Sequence, residues 1–221
     1  MRLSEVLVSK GSLVPGEDVL RQGITIPRKN FLRYSLDFEF LFQGQESICL
    51  TRKKVFEIFR EDTKRGILSS IVWGFPRGSL PGGRPLSTAF ENLLFFEDSI
   101  EEIVQEGLSE KSFEMINSKH GVKNGATSKM LYFSGARIGD SKCLIFDSRV
   151  RGYLLEHQPI EFNSTVRHLP QNSLYPGWNG YRYFCQEVQS LAAKLSVKED
   201  AIEMYLFQAA PNRRKAQHSI A

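Results

Sequence analysis

Cysteine is scarce in this sequence, and its spacing suggests neither a disulfide framework nor a metal site. Three cysteines occur among 221 residues, at Cys49, Cys143 and Cys185. We expect them to be reduced and mostly buried, as in a cytoplasmic protein. Because an iron–sulfur cluster normally needs four cysteine ligands, no such cluster is expected. We predict no metal site and no cofactor.

Long apolar runs are also missing. No segment is long enough to cross a membrane, and the first residues lack the apolar core of a secretory signal. Charged residues make up 24% of the chain and the net charge is +4, which permits nucleic-acid binding without requiring it. These features predict a soluble, cytoplasmic protein without a membrane partner. We expect it to act as a monomer.

Apolar residues recur with helical spacing over most of the chain, and neither an internal repeat nor a convincing sheet is visible. We predict an all-α (mostly helical) protein with two small lobes and a cleft between them. Residues 1–29 are predicted as an irregular arm with a short strand at residues 5–8, and residues 30–208 as the helical domain. Residues 209–221 are predicted as a disordered tail.

Capping residues and apolar stripes give the expected helix boundaries. Thr51 and Ser109 are predicted N-caps of the helices over residues 52–61 and 110–118. Capping boxes at residues 98–101 and 196–199 predict two further helix starts. A buried aromatic helix is expected over residues 30–43, and an amphipathic helix over residues 180–195.

The most informative stretch is residues 119–150, where a hairpin between two helices precedes a buried apolar run. Gly121 and Gly125 bracket the hairpin, since glycine permits positive φ and close backbone approach. A helix is predicted to restart over residues 126–133. The apolar run 143–146 then ends at Asp147, a good N-cap for the next helix.

Two ionisable groups are thereby predicted at helix starts, with Lys129 in a first turn and Asp147 as a cap. The positive end of a helix dipole disfavours an ammonium and favours a carboxylate. A partly deprotonated amine beside a fixed carboxylate suits imine formation at an electrophilic carbon. Taken singly, each residue also fits an ordinary reading, as a solvated helix lysine and a structural N-cap.

This stretch resembles the signature of the helix-hairpin-helix base-excision DNA glycosylases. In that family a Gly-Val-Gly-x-Lys hairpin carries the catalytic lysine, and a Val-Asp-x-His/Arg-Val segment carries the catalytic aspartate. Here residues 125–129 and 146–150 occupy those places, although Thr127 replaces the second glycine and Asn124 stands where proline is common. With the later run at residues 181–185, the chain is most similar to bacterial proteins described as 8-oxoguanine DNA glycosylase-like.

The resemblance implies a DNA glycosylase/AP lyase that excises a damaged or modified, 8-oxoguanine-like base from duplex DNA without a metal ion. It implies that Lys129 forms a Schiff base with the sugar and that Asp147 stabilises the positive charge that develops there. It also implies DNA contacts at the hairpin and at the following helix start. The residues concerned are Gly121, Lys123, Gly125, Thr127, Ser128 and Arg149.

Further candidates lie earlier in the chain. Trp73 and Phe75, beside a Gly/Pro-rich loop, are candidates for the base pocket; the alternative is a surface turn with a core tryptophan. The basic residues between positions 52 and 65 are candidate phosphate contacts, and the alternative for such a run is a solvated helix face.

Two other functions remain open from the sequence. The chain could be a non-catalytic helix-hairpin-helix DNA-binding module, in which Lys129 only contacts phosphate, or a small helical interaction protein. A glycosylase could also act on modified bases of foreign (phage) DNA, in a defence role.

Overall fold

The structure of the protein is a computed structural model that describes residues 1–10, 16–119, 125–173 and 175–210. These residues are mostly helical, which confirms the predicted all-α class. The helices are α1 (Leu3–Lys10), α2 (Gly16–Arg21), α3 (Glu39–Phe42), α4 (Arg52–Glu61), α5 (Thr63–Gly74), α6 (Ser87–Glu91), α7 (Leu93–Glu106), α8 (Glu110–Ser118), α9 (Gly125–Ser134), α10 (Ser148–His157), α11 (Asn163–His168), α12 (Gly177–Leu195) and α13 (Glu199–Ala209). The strands are β1 (Gly23–Pro27), β2 (Ser47–Thr51), β3 (Arg137–Ile138) and β4 (Ser141–Lys142). None of the described helices has the length and apolar character needed to span a membrane.

The chain forms two compact units. The central unit comprises Glu17–Ile145, and the terminal unit comprises Met1–Gly16 together with Phe146–Ala221. Lys129 therefore belongs to the central unit and Asp147 to the terminal unit.

The core of the central unit is a group of helices in which α9 contacts α4, α5 and α7. Thr51 caps α4 by accepting a hydrogen bond from the Lys54 N–H, as predicted. Asp62 caps α5 in the same way through the Arg65 N–H. Two short antiparallel pairs, β1 with β2 and β3 with β4, accompany these helices and were not foreseen from the sequence.

The terminal unit is built from α1 and α10–α13. Helix α12 contacts α11 and α13, and α10 also contacts α13. The predicted apolar stripe of α12 is buried, with Tyr181, Phe184 and Val188 completely inaccessible. The helix begins at Gly177, three residues before the predicted start, and it ends at Leu195 as predicted.

The N-terminal arm is where the sequence interpretation differs most from the structure. Residues 1–29 contain α1, α2 and β1, and the strand predicted for residues 5–8 lies within α1. Leu3 and Leu7 are both buried, and a spacing of four residues places them on one helical face. Because the segment is short, its apolar residues also fitted an alternating pattern, and the prediction chose the wrong period.

The aromatic helix predicted over residues 30–43 is wrong except for the single turn of α3. The aromatic residues are nevertheless buried, and the ring of Phe31 lies 5.4 Å from that of Phe38 and 6.3 Å from that of Phe42. A cluster of rings at helical spacing can therefore form from turns when the surrounding helices supply the packing.

Both predicted capping boxes are also wrong. Asp98 lies inside α7, which runs without a break from Leu93 to Glu106. Ser196 has φ 53° and ends α12 in the left-handed region, and no side chain caps the start of α13. The box pattern is short enough to occur by chance, inside a continuous helix at Asp98 and at a helix end at Ser196. The tail at residues 211–221 lies outside the described residues.

Candidate active site

The helix that carries Lys129 is buried on all sides. Every residue from Ala126 to Phe133 is buried, including the polar side chains of Thr127, Ser128 and Lys129. A helix with no exposed face is a core helix of its unit. The sequence predicted this helix over residues 126–133, and the structure confirms it as Gly125–Ser134.

Lys129 is only 9% exposed. Its Nζ donates a hydrogen bond of 3.0 Å to the carbonyl oxygen of Gly125, one turn earlier in α9. Its alkyl chain passes Gly74, the last residue of α5: a Cβ built there would lie 3.1 Å from the Lys129 Cδ and 3.6 Å from its Cε. The lysine is thus held between the start of its own helix and the end of α5.

The predicted position of Lys129 in the first turn is wrong. Helix α9 begins at Gly125, so Lys129 is its fifth residue and lies in the second turn. The effect of the helix dipole declines within the first turn. The helix dipole therefore gives no reason to expect a deprotonated amine at Lys129. The position of Nζ is determined by its contacts with the protein.

Thr127 and Ser128, predicted as DNA contacts, are 1% and 2% exposed. The Thr127 hydroxyl donates to the side-chain oxygen of Asn117 at 2.9 Å, which joins α9 to α8. The Ser128 hydroxyl donates to the Gly125 carbonyl at 3.3 Å. Their hydroxyl groups are used inside the protein, so a DNA contact at these positions would have to come from the backbone.

The hairpin itself lies outside the described residues. Gly121 and Lys123, both predicted DNA contacts, fall within residues 120–124, and their roles stay predictions. Gly125 is described and opens α9. Its carbonyl accepts both the Lys129 and the Ser128 hydrogen bonds.

In the terminal unit, Asp147 is the N-cap of α10, as predicted. Its Oδ1 accepts hydrogen bonds from the Arg149 N–H at 2.9 Å and from the Val150 N–H at 3.1 Å. These bonds satisfy two of the amide groups that a helix start leaves without partners. The carboxylate is thereby fixed in orientation.

Arg149 is anchored to the end of α13. Its guanidinium lies over the ring of Phe207, 4.3 Å from the ring centroid, and its Nη2 donates to the Ala210 carbonyl at 3.2 Å. The predicted DNA contact by Arg149 stays a prediction. These two contacts give the side chain a structural role that the sequence did not indicate.

Trp73 is 4% exposed, which favours the core alternative over the base-pocket prediction. Its ring packs edge-on against Phe133 at 5.5 Å, and the guanidinium of Arg52 lies 5.7 Å from its centroid. A base can stack only on a ring whose face is accessible, and this ring lies in the core. Phe75, at the end of α5, is partly exposed.

Arg52 is the clearest departure from the predicted basic cluster, because it is 1% exposed. Its Nε donates to the Gln22 side chain at 2.6 Å, and its Nη1 donates to the Tyr132 hydroxyl at 3.2 Å. Tyr132 lies on α9, three residues after Lys129. Arg52 therefore supports the helix of the site and is not a surface phosphate contact.

The Gly/Pro-rich loop after α5 is tied to the aromatic segment before it. Tyr34 donates its hydroxyl hydrogen to the Gly78 carbonyl and accepts a hydrogen bond from the Leu86 N–H. Gly78 has φ +66°, and a Cβ there would lie 2.2 Å from the Asn30 carbonyl oxygen. Only glycine fits this close approach, so the loop has one defined path.

The described residues contain no group of three or more histidine, cysteine or acidic side chains that could hold a metal ion. All three cysteines are free thiols. Cys143 and Cys185 are buried, as predicted, whereas Cys49 is exposed.

Among the described residues, the two candidate catalytic side chains are thus a buried lysine on α9 of the central unit and a capping aspartate at the start of α10 in the terminal unit. The family model described as "Putative 8-oxoguanine DNA glycosylase OGG-like protein" matches residues 17–207. The chain therefore belongs to this family, and its functional class, stated coarsely, is that of DNA glycosylases. No curated protein and no solved structure matches the chain.

Sequence reasoning missed Gly74, which contacts Lys129, and Asn117, which accepts a hydrogen bond from Thr127. Gly74 gave a weak signal as a glycine at a predicted helix end, where it was interpreted only as part of a loop. Asn117 gave none, because an asparagine near the end of a helix is common.

Proposed function

We propose that this protein is a DNA glycosylase with AP lyase activity that excises an 8-oxoguanine-like base from duplex DNA through a Schiff base at Lys129. Membership in the glycosylase family supports the reaction class. The observation that carries the lyase part is the buried and hydrogen-bonded position of Lys129 in α9. We further propose that the protein acts as a monomer.

The burial of Lys129 argues against the alternative of a simple phosphate contact. A lysine that binds DNA phosphate through charge alone needs an ammonium in solvent, where it can replace counterions. Lys129 is 9% exposed and its Nζ is bonded to the protein. Burying an amine in a fixed position is costly, and a positioned nucleophile is a function that would justify it.

The proposed reaction begins when the target nucleotide leaves the base stack, since a side chain cannot reach the sugar carbon otherwise. The lone pair of the unprotonated Lys129 Nζ forms a bond to C1′. The bond between C1′ and the base breaks, and the base departs with that electron pair and takes up a proton. Opening of the sugar ring and transfer of a proton from nitrogen to the ring oxygen then give an imine between Nζ and C1′.

The lyase step follows from the chemistry of the imine. The protonated imine withdraws electrons and acidifies the hydrogen on C2′. Removal of that proton forms a carbon–carbon double bond and expels the 3′ phosphate with its electron pair. Water hydrolyses the imine afterwards, which frees Lys129.

Asp147 is proposed to stabilise the positive charge that develops on the sugar as the base departs. A carboxylate aimed at the developing charge lowers the barrier without being consumed. Support comes from its fixed orientation, since two amide hydrogen bonds hold Oδ1 at the start of α10.

The DNA backbone is proposed to be held by the hairpin and the two helix starts. Backbone N–H groups around Gly121, Lys123 and Gly125 would bind phosphate without reading sequence. Arg149 would add a contact at the start of α10. For Thr127 and Ser128 only the backbone would take part, since their hydroxyls are engaged inside the protein.

Borohydride trapping on duplex DNA with an intact modified base tests the proposal. Reduction of an imine gives a stable amine, so the wild-type protein should form a covalent adduct with DNA that contains 8-oxoguanine. Lys129→Gln should bind the DNA and form no adduct, because the amide is not nucleophilic. Asp147→Asn should bind and lose most excision, because the charge stabilisation is gone.

The substrate must carry an intact base, because abasic DNA reacts with many exposed amines. Excision by the wild-type protein without any adduct would show that water attacks instead of Lys129. Equal adduct from wild type and Lys129→Gln would assign the imine to another amine. Duplexes that carry other single lesions, and the modified bases of phage DNA, then define which base is removed.

A further inference from the structure

Gly74 leaves a space that the side chain of Lys129 occupies. Gly74 is the last residue of α5, and its backbone does not have the positive φ that would require glycine. A Cβ built at this position would have two described atoms within 4 Å beyond its chain neighbours and its own helix, and both belong to Lys129. Steric contact with Lys129 is therefore the visible reason for a glycine here.

The contact falls on the outer part of the lysine side chain. The Cδ would be 3.1 Å and the Cε 3.6 Å from the added methyl group, and these atoms determine where Nζ lies. Because Lys129 is 9% exposed, the protein surrounds it and leaves it little room to move aside. A displacement of a few tenths of an ångström at Cδ would lengthen or bend the 3.0 Å bond from Nζ to the Gly125 carbonyl.

We propose that Gly74 is a positioning residue for Lys129. By lacking a side chain, Gly74 allows the alkyl chain of Lys129 to lie against the end of α5, and the carbonyl of Gly125 accepts a hydrogen bond from the nitrogen. The two glycines together fix the resting position of the amine. This inference rests on the proposed function, in which the Lys129 nitrogen is the nucleophile.

Gly74→Ala tests the inference, and Gly180→Ala is a matched control. A Cβ at Gly180, in α12, would also lie 3.1 Å from a buried side-chain carbon, in that case the Cδ2 of Leu169. Both substitutions remove a helical glycine and bring the new methyl group to 3.1 Å from the nearest side-chain carbon. They differ in that only Gly74→Ala displaces Lys129.

The measurement is single-turnover formation of the borohydride-trapped adduct, alongside the dissociation constant for the same duplex. Gly74→Ala should slow adduct formation about tenfold, since displacing a reacting group by a fraction of an ångström has effects of this order. Its DNA affinity should not change. The pH at which the rate is half-maximal should move, because the hydrogen bond at Nζ is altered. Gly180→Ala should leave the rate and the pH profile as in wild type.

A double-mutant cycle of unfolding measurements at positions 74 and 129 tests the contact without relying on catalysis. If the methyl group acts through Lys129, the effect of Gly74→Ala on the denaturant midpoint should differ between the wild-type and Lys129→Ala backgrounds. Equal effects in the two backgrounds would overturn the inference. An unchanged rate and pH profile for Gly74→Ala would also overturn it.

The failure of the proposed function gives a different result. In that case wild type would form no adduct, or Lys129→Gln would trap as well as wild type, while the unfolding cycle could still show coupling between positions 74 and 129. Such a result would show that Gly74 contacts Lys129 but that Lys129 is not the nucleophile. It would therefore overturn the inference that Gly74 positions a nucleophile.

Discussion

At the scale of single residues, side chains of the candidate site also stabilise the fold, in addition to their proposed roles in the reaction. Asp147 caps α10 with two hydrogen bonds. Thr127 joins α9 to Asn117 on α8. For such residues a loss of activity after mutation can come from lost structure, and the choice of substitution decides which of the two is measured.

Asp147 allows the two roles to be separated. Asparagine is about as good an N-cap as aspartate, whereas alanine costs about 1 kcal/mol. We expect Asp147→Asn to keep the free energy of unfolding within about 1 kcal/mol of wild type, because it loses only the charge at the helix start. Asp147→Ala should lose both the cap and the charge. Denaturant unfolding of the two variants measures this, and equal large losses would contradict the capping role.

Thr127 occupies the position of the second hairpin glycine in the helix-hairpin-helix signature that this stretch resembles. Its hydroxyl donates to a buried acceptor, so Thr127→Val should destabilise the protein by about 1 kcal/mol, the typical net value of such a hydrogen bond. Thr127→Ser keeps the hydroxyl and is the control. Chemical denaturation compares them, and a valine variant as stable as wild type would show that the bond contributes nothing.

At the scale of elements, the first turns of two helices in the terminal unit donate hydrogen bonds to glutamates that are remote in the sequence. Glu161 accepts hydrogen bonds from the Leu3 and Ser4 N–H groups at the start of α1, at 2.9 and 2.8 Å. Glu187 does the same for Ser164 and Thr165 in the first turn of α11. Negative charge at a helix start is stabilising, and here it comes from another element.

Glu161 should make the docking of α1 dependent on pH. Burial by itself raises the pKa of Glu161, but hydrogen bonds from Ser4 and Leu3 outweigh it and lower the pKa below its ordinary value of 4.5. A lowered pKa means that the ionised form is the one the folded state favours. Its contribution to the free energy of unfolding is therefore complete above about pH 4.5 and is lost as the pH falls through the folded-state pKa.

Glu161→Gln is the test of this pH dependence. At neutral pH the variant should be less stable than wild type, because it loses the charge at the helix start, and the gap should narrow as the pH falls below 4.5. Unfolding midpoints over a series of pH values give the comparison. A gap that is constant with pH would show that ionisation of Glu161 does not contribute.

At the scale of the whole molecule, the charges are not evenly distributed. Helix α7 carries five acidic residues and no basic one, and DNA phosphate should avoid its surface. Helix α4 and the start of α5 hold most of the predicted basic cluster, but acidic residues partly neutralise it. Lys53 and Lys54 lie 3.9 and 3.7 Å from Glu57, and Arg65 lies 3.8 Å from Asp62.

Arg60 and Lys64 are the remaining cations of that cluster. Both are exposed, and the structure shows no ion pair for either one among the residues it describes. If this surface contacts DNA, Arg60→Ala and Lys64→Ala should each reduce the slope of log affinity against log salt by about 1. Lys111→Ala, on α8 between Glu110 and Glu114, is the control and should leave the slope unchanged. Equal slopes for all three variants would exclude this face from the DNA interface.

The sequence by itself determined the helical class, the helix predicted over residues 126–133 and the capping role of Asp147. Each depends on residues close together in the chain. A cap bonds to amides two or three residues further on, and a helix is marked by the spacing of its own apolar residues. The same locality explains the two false capping boxes, since a short pattern does not reveal whether a helix already runs through it, as at Asp98, or ends there, as at Ser196.

Only the tertiary structure decided which side chains Lys129, Thr127 and α1 would meet. Gly74 lies against Lys129, Asn117 accepts from Thr127, and Glu161 caps α1 from the far end of the chain. None of these pairs has a signal in the sequence, because the packing of helices brings together residues that are remote along the chain. The position of the nucleophile proposed from a local motif therefore depends also on Gly74, a residue that the motif does not contain.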